Sequence, residues 1–192
     1  MTERLEGSSP EVVALADGSF LVLFTALRRD PLEEIGVGGR RYGPDGTLLT
    51  EFLLPVTDPN KEFIWEIVAR PMSDNTVVVA VEPQVLHPEI SGLIRLLRVS
   101  PQGLLMSRAV DVAPGGGYHS DPSVLPGVGG DFTLTWDSNP SNLVGEGHLA
   151  AQRFARDGQA LTPPVGRDEA TRSPAARRSR PGLSRGLDRD EP

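Results

Sequence analysis

The side chains of this 192-residue chain that could do chemistry are its histidines, a set of aspartates, three arginines and one oxygen-rich loop. His87, His119 and His148 never stand at i, i+2 or i, i+4, so no single strand or helix face offers two of them to a metal. There is no cysteine, which removes thiolate ligands, thiol nucleophiles and disulfides together. Asp17, Asp45, Asp74 and Asp157 each precede Gly or Asn, in strings where Asp is favoured because its side chain bonds its own backbone. Acid–base cleavage of a glycosidic bond needs two carboxylates facing one site, and turn aspartates are not paired in that way by their spacing. No G-x-S-x-G elbow is present.

Three further strings each admit a chemical and a structural reading. Asp137-Ser138-Asn139-Pro140-Ser141-Asn142 carries the oxygen donors a hard cation takes, and is equally an ordinary turn composition. Gly115-Gly116-Gly117 could cradle a phosphate, but no Lys-Ser/Thr follows it, and it reads as a linker. Arg41, Arg98 and Arg153 recur at one slot. A row of guanidiniums would suit anionic sugars; the reading adopted here is structural, each stem lying along a sheet and each head pairing with acidic groups of the neighbouring repeat. No catalytic, cofactor-binding or metal-binding residue is assigned from the sequence.

The elements that must position these residues follow from an internal repeat. Phe20, Val77 and Phe132 open matching apolar runs, spaced by 57 and then 55 residues. The turn glycines Gly46, Gly103 and Gly158 repeat the same two spacings, and Pro10 and Pro122 align where the middle copy has Ile67. Each copy reads as four short antiparallel strands; in the first they are Glu11–Ala16, Ser19–Ala26, Ile35–Tyr42 and Thr47–Val56, with a two-residue turn at Asp17-Gly18. Strands apolar on both faces, repeated every ~55 residues, are the makings of β-propeller blades. The expected fold is therefore all-β: three four-stranded antiparallel blade-like repeats forming a partial, open propeller. A frayed terminus (1–9) precedes the repeat domain (10–165, with copies at about 10–63, 64–119 and 120–165), and a disordered tail (166–192) follows it. Phe132, Leu134 and Trp136 alternate with Thr133 and Thr135, which marks the third copy as terminal, with one face toward solvent. A ring needs 4–8 blades, so three copies also predict a fragment of a longer array.

Composition excludes several classes. Net charge is −7, and the tail from residue 166 has seven Arg against five acidic groups, leaving −9 on the body. Such a body does not bind nucleic acid through displaced counterions. No apolar run approaches the ~20 residues of a membrane span, and no cleavable signal peptide is visible at the start. The tail is too poor in apolar residues to offset its ordering entropy.

Pro122 to Leu125, Gly129 to Ser138 and Ala150 to Gly158 resemble the tandem β repeats of large bacterial secreted and surface proteins of the hemolysin-type calcium-binding (RTX-like) group. Pro10 to Phe20 matches the opening of that pattern. The resemblance implies a non-catalytic structural or adhesive segment, extracellular or on the cell surface, with further repeats or surface polysaccharide as partners. It also implies Ca²⁺, although Gly127-Val128-Gly129-Gly130-Asp131 is the single imperfect approach to a calcium nonapeptide. The alternative is the remnant of a carbohydrate-active propeller related to sialidases or other glycosidases. Against it, the Asp-box string S-x-D-x-G-x-T-W is absent, although Trp136 follows Thr135. A third reading is an intracellular scaffold that binds protein through open blade edges.

Overall fold

A computed structural model describes residues 5–29, 32–58, 62–85, 91–112, 117–139 and 147–166. They form thirteen strands and no helix. The first sheet runs β1 (Glu6–Ala14), β2 (Phe20–Arg29), β3 (Leu32–Tyr42) and β4 (Leu48–Leu54), paired in chain order. The second runs β5 (Glu62–Pro71), β6 (Val77–Val85), β8 (Ile94–Val99) and β9 (Val110–Val112), with the two-residue β7 (Ser91–Gly92) on the end of β6. The third comprises β10 (Tyr118–Pro126), β11 (Phe132–Asn139), β12 (His148–Phe154) and β13 (Val165–Gly166). All three are antiparallel meanders that do not close on one another, as expected for a partial propeller. The first strand of each sheet lies against the first strand of the next, β1 on β5 and β5 on β10, so these strands are innermost.

The period-2 alternation of side chains creates the two cores. Leu21, Leu23 and Val37 of the first sheet pack on Ile67, Val77, Val79 and Val81 of the second. Val78, Ala80 and Ile94, on the opposite face of that second sheet, pack on Phe132, Leu134 and Trp136 of the third. The middle sheet is thus apolar on both faces because both are covered. Thr133 and Thr135, on the far face of the third sheet, are half-buried, while Leu21 and Leu23 are fully buried.

The hairpins reuse one local device. In six of them the first residue's carbonyl accepts an N–H three residues on, and its own N–H reaches a carbonyl four residues on, as in Gly18 N to Leu15 O (3.1 Å) and Leu15 N to Ser19 O (2.8 Å). The loop is therefore three residues long, not the expected two. It consists of a type I turn closed by a residue with positive φ, which is Gly18, Gly46, Gly103, Gly130 or Gly158, or Asn75 at 64°. Asp17, Asp45 and Asp74 fix three of these turns by accepting the backbone N–H and the hydroxyl of Ser19, Thr47 and Thr76.

Three expectations of extent are corrected. Residues 6–9 are not frayed: Glu6, Gly7 and Ser8 pair with Leu27, Ala26 and Thr25 across a bulge at Ser9-Pro10, which lets the strand continue past the proline. The second and third sheets likewise begin at Glu62 and Tyr118, each ahead of a bulge near Trp65 and Asp121. Gly166, expected to open the tail, pairs with Ala150 instead. The rest of the tail, Gly115 and Gly116, His87, and Pro140 to Asn142 lie outside the described residues.

Candidate functional site

The bulges bring together carboxylates that their sequence neighbours do not mark. By the repeat spacing Glu66 corresponds to Asp121 and to Ser9, and each lies at the bulge of its innermost strand: Trp65 is left over beside Glu66 in β5, Asp121-Pro122 in β10 and Ser9-Pro10 in β1. Glu82, on β6 directly opposite Glu66, is 1% exposed. One of its oxygens accepts the Asp121 N–H at 3.1 Å, and the other accepts Gln84 Nε2 at 3.3 Å. Gln84 also donates to the Tyr118 hydroxyl at 2.9 Å. Glu11, on β1 of the first sheet, accepts Arg70 at 2.8 Å and the Ala69 N–H at 3.3 Å. Glu34 accepts the N–H of Ile64.

Position explains part of this arrangement. An innermost strand has one edge without a strand partner, and its N–H groups there need acceptors. Carboxylates of the preceding sheet supply them: Glu34 and Glu11 for β5, and Glu82 for β10.

Electrostatics explains the rest. Burial pushes the Glu66 carboxyl above the usual range, and the like charges of Asp121 and Glu11 push it further. Burial likewise raises Glu82, with Asp121 and Glu66 adding to it, while its bonds from Gln84 and Asp121 pull the other way. Tyr118 is raised by burial and by the negative charge of Glu82 and Asp121. The site is thus a set of mutually repelling acids in which the carboxyls of Glu66 and Glu82 are both raised above the ordinary range. Beside it Trp65 is 63% exposed, its indole edge-on to Phe63 at 6.3 Å. A flat apolar surface next to carboxylates that hold and release protons has the ingredients of a site for a polyhydroxylated ligand.

The candidates of the other classes fall out differently. Each of the three repeated arginines pairs within its own sheet, and not with the neighbouring repeat as expected. Arg41 donates to Asp17 (2.6 Å) and Ser19 (3.1 Å), Arg98 to Asp74 and Thr76, and Arg153 to Asp131 (2.7 Å). In the third copy the carboxylate has moved two residues along, yet the pair survives. Other arginines link the repeats: Arg70 donates to Glu11, and Arg156 donates to Asp74 from the β12–β13 turn. Arg156 and Asp74, with Arg98 and Met106, line a cleft of about 450 Å³ at the hairpin end of the sheets, where the charges are paired among themselves.

His119 and His148 do converge, contrary to their sequence spacing. Both are opposite Ser138, one on each side, so they share a row across the third sheet. Among the described residues, no group of three or more His, Asp or Glu is placed to hold a metal ion. Gly127 to Asp131 is the β10–β11 hairpin, in which Asp131 serves Arg153. No signal along the chain singles out Glu66 or Asp121, because a bulge is defined by the partner strand.

No protein-family model matches this chain, and no characterised protein matches it in sequence. Solved structures match it in fold. The endo-arabinase of Bacteroides thetaiotaomicron VPI-5482 superposes with a TM-score of 0.54 at 13% identity, over 84% of this chain and 62% of its own. The xylan β-1,4-xylosidase of Bacillus halodurans C-125 gives 0.54 at 13% identity, covering 82% and 31%. A GH43_1 enzyme from Xanthomonas citri, complexed with xylotriose, gives 0.55 at 12% identity, covering 84% and 55%. The likeness shows the fold, an all-β arrangement of propeller-like sheets. The chain spans less than two thirds of the length of each of these three enzymes.

Proposed function

We propose that this chain is part of a carbohydrate-active β-propeller that takes pentose-containing polysaccharide at its axis, in preference to a purely structural or adhesive segment. The observation that carries this reading is that Glu66 and Asp121, at the bulges of adjacent innermost strands, lie near enough for the charge of Asp121 to raise the Glu66 carboxyl. Glycoside cleavage uses one carboxylic acid that keeps its proton and one carboxylate that has lost it. Glu66, raised by burial and by its neighbours, is the acid that protonates the departing sugar oxygen. Asp121 is the carboxylate that activates water or stabilises the cationic sugar. Trp65 is the platform on which a sugar ring stacks.

The fold neighbours add direction, since they include an endo-arabinase, a xylosidase and an enzyme holding xylotriose. A polymer of that kind is met outside the cell, which agrees with an extracellular or surface location. The test is incubation with arabinan, xylan and chromogenic pentosides, together with calorimetric titration of xylo- and arabino-oligosaccharides. Binding or cleavage that is lost in Glu66→Gln and in Trp65→Ala is expected. If neither pentose polymer is bound or cut, the structural reading replaces this one. That reading has one observation in its favour, namely that all three repeated arginines are spent on holding turns.

A further inference from the structure

The described residues form one kind of sheet-on-sheet interface, made twice, and each outer sheet carries half of a third. Toward the preceding sheet, the second sheet presents Ala69, Val77, Val79 and Val81, and the third presents Val124, Phe132, Leu134 and Trp136. The repeat register assigns Val12, Phe20, Val22 and Phe24 of the first sheet to the same face, which no sheet among the described residues covers, although Phe24 is itself only 5% exposed. Val12 is 61% exposed, Phe20 stacks on Tyr42 at 5.2 Å, and the Arg40 guanidinium lies over Phe24 at 4.9 Å. Neither of the two cores includes these four.

The other end is the matching half. Toward the following sheet, the first presents Leu21, Leu23 and Val37, and the second Val78, Ala80 and Ile94, all buried. Their counterparts in the third sheet are Thr133, Thr135 and Leu149, of which Leu149 is 62% exposed. Leu125, on the same face, is 69% exposed.

A polar pair matches as well. The second and third sheets are joined by Glu82 accepting the Asp121 N–H. The counterpart of Glu82 on the free face of the third sheet is Asp137, which is exposed. The counterpart of Asp121 on the first sheet is Ser9, held in the same backbone conformation (φ 51° against 53°). Acceptor and donor thus stand at the two ends in the relation that joins the middle and last sheets.

We propose that the first sheet of one copy takes the third sheet of a second copy, front face onto back, and that two copies close a ring of six sheets. Six lies within the 4–8 blades that propellers close with, and a head-to-tail contact that returns on itself gives a closed pair with twofold symmetry. Leu125, Leu149 and the threonine methyls cover Val12, Phe20 and Val22, and Asp137 accepts the Ser9 N–H. Closure also brings the partner's inner strands around the axis of Glu66 and Asp121. The threonines make this interface more polar than the two internal ones, so the pair dissociates on dilution.

Sedimentation equilibrium of the full chain is expected to show mass rising with concentration from 20.6 kDa to twice that value. Val12→Glu spoils one face and Leu149→Glu the other; each variant alone is expected to stay single, with circular dichroism unchanged. Mixed together, they are expected to form a one-to-one complex, because one retains the back face and the other the front. A wild-type chain that remains single at millimolar concentration overturns the proposal. So does a Leu149→Glu variant that still pairs, which would mean front faces meeting each other, and so do open polymers larger than a pair.

Discussion

Two opposed sets of carboxylates decide how single residues respond to substitution and pH. Glu66 is held above its ordinary value by burial and like charge, so the folded state binds a proton there more tightly than the unfolded chain does. Its contribution is present in full below the unfolded value of 4.5 and is lost as pH rises through the higher folded value. Glu66→Gln removes the repulsion with little change of shape. It is expected to raise the melting temperature at pH 7, by an amount that vanishes below pH 4.5, while pentoside cleavage is lost. A melting temperature that falls at pH 7 would show that the Glu66 charge is compensated. The turn aspartates behave oppositely. Hydrogen bonds from Ser19 hold Asp17 low, and hydrogen bonding and charge from Arg153 hold Asp131 low, so their contribution is lost as pH falls through those depressed values. Among the arginines, Arg98 is buried with Thr76 and Asp74, whereas the Arg153 side chain is 58% exposed. Arg98→Gln is expected to cost about 2–3 kcal/mol in urea unfolding and Arg153→Gln less than about 1 kcal/mol, because water screens the exposed pair. Equal costs would refute the distinction.

At the scale of strands and turns, the device that recurs is the residue with positive φ closing each hairpin, and two glycines separate its backbone cost from its packing cost. A Cβ on Gly46 would meet no atom within 4 Å, so Gly46→Ala tests conformation alone and is expected to cost about 1 kcal/mol. A Cβ on Gly103 would lie 2.1 Å from the Phe52 ring, which packs on the first core. Gly103→Ala is expected to cost a further 1–3 kcal/mol or so by forcing that ring aside. Thermal melts of the two variants decide it, and equal losses would mean that Phe52 yields freely. These turns are legible in the chain because a local string specifies each one: Asp-Gly-Ser at 17–19, Asp-Asn-Thr at 74–76. Their length is not, because the Gly alone does not reveal where the preceding type I turn starts, and a three-residue loop reads as two. The site is not legible at all. Trp65-Glu66 and Asp121-Pro122 look like ordinary strand residues, and only pairing with β6 and β11 leaves one residue over at each place. The shared row of His119 and His148 is hidden for the same reason: they lie 29 residues apart in sequence and are brought together only by pairing opposite Ser138.

For the whole molecule, the middle sheet is the part on which both halves depend. Leu21 and Phe132 belong to different cores, but Val77 to Val81 contributes to both by alternation, and every residue of that run is at most 1% exposed. Removing either outer sheet would uncover one face of β6, so neither interface can open without exposing apolar surface that the other still needs packed. Amide exchange should reveal this coupling, because local opening releases only strands whose faces can be exposed separately. The amides of β6 are expected to exchange solely through global unfolding, with protection equal to the unfolding free energy measured in denaturant. Those of β4 and β13, at the outer edges of their sheets, are expected to exchange at least tenfold faster. Val78→Ala and Val79→Ala then lower the β6 protection by similar amounts although they face different cores, since one unfolding event uncovers both. If the first sheet instead exchanged as an independent unit, with β6 protection untouched by Val79→Ala, the array would be three separate modules sharing a chain, and closure around a common axis would lose its physical basis.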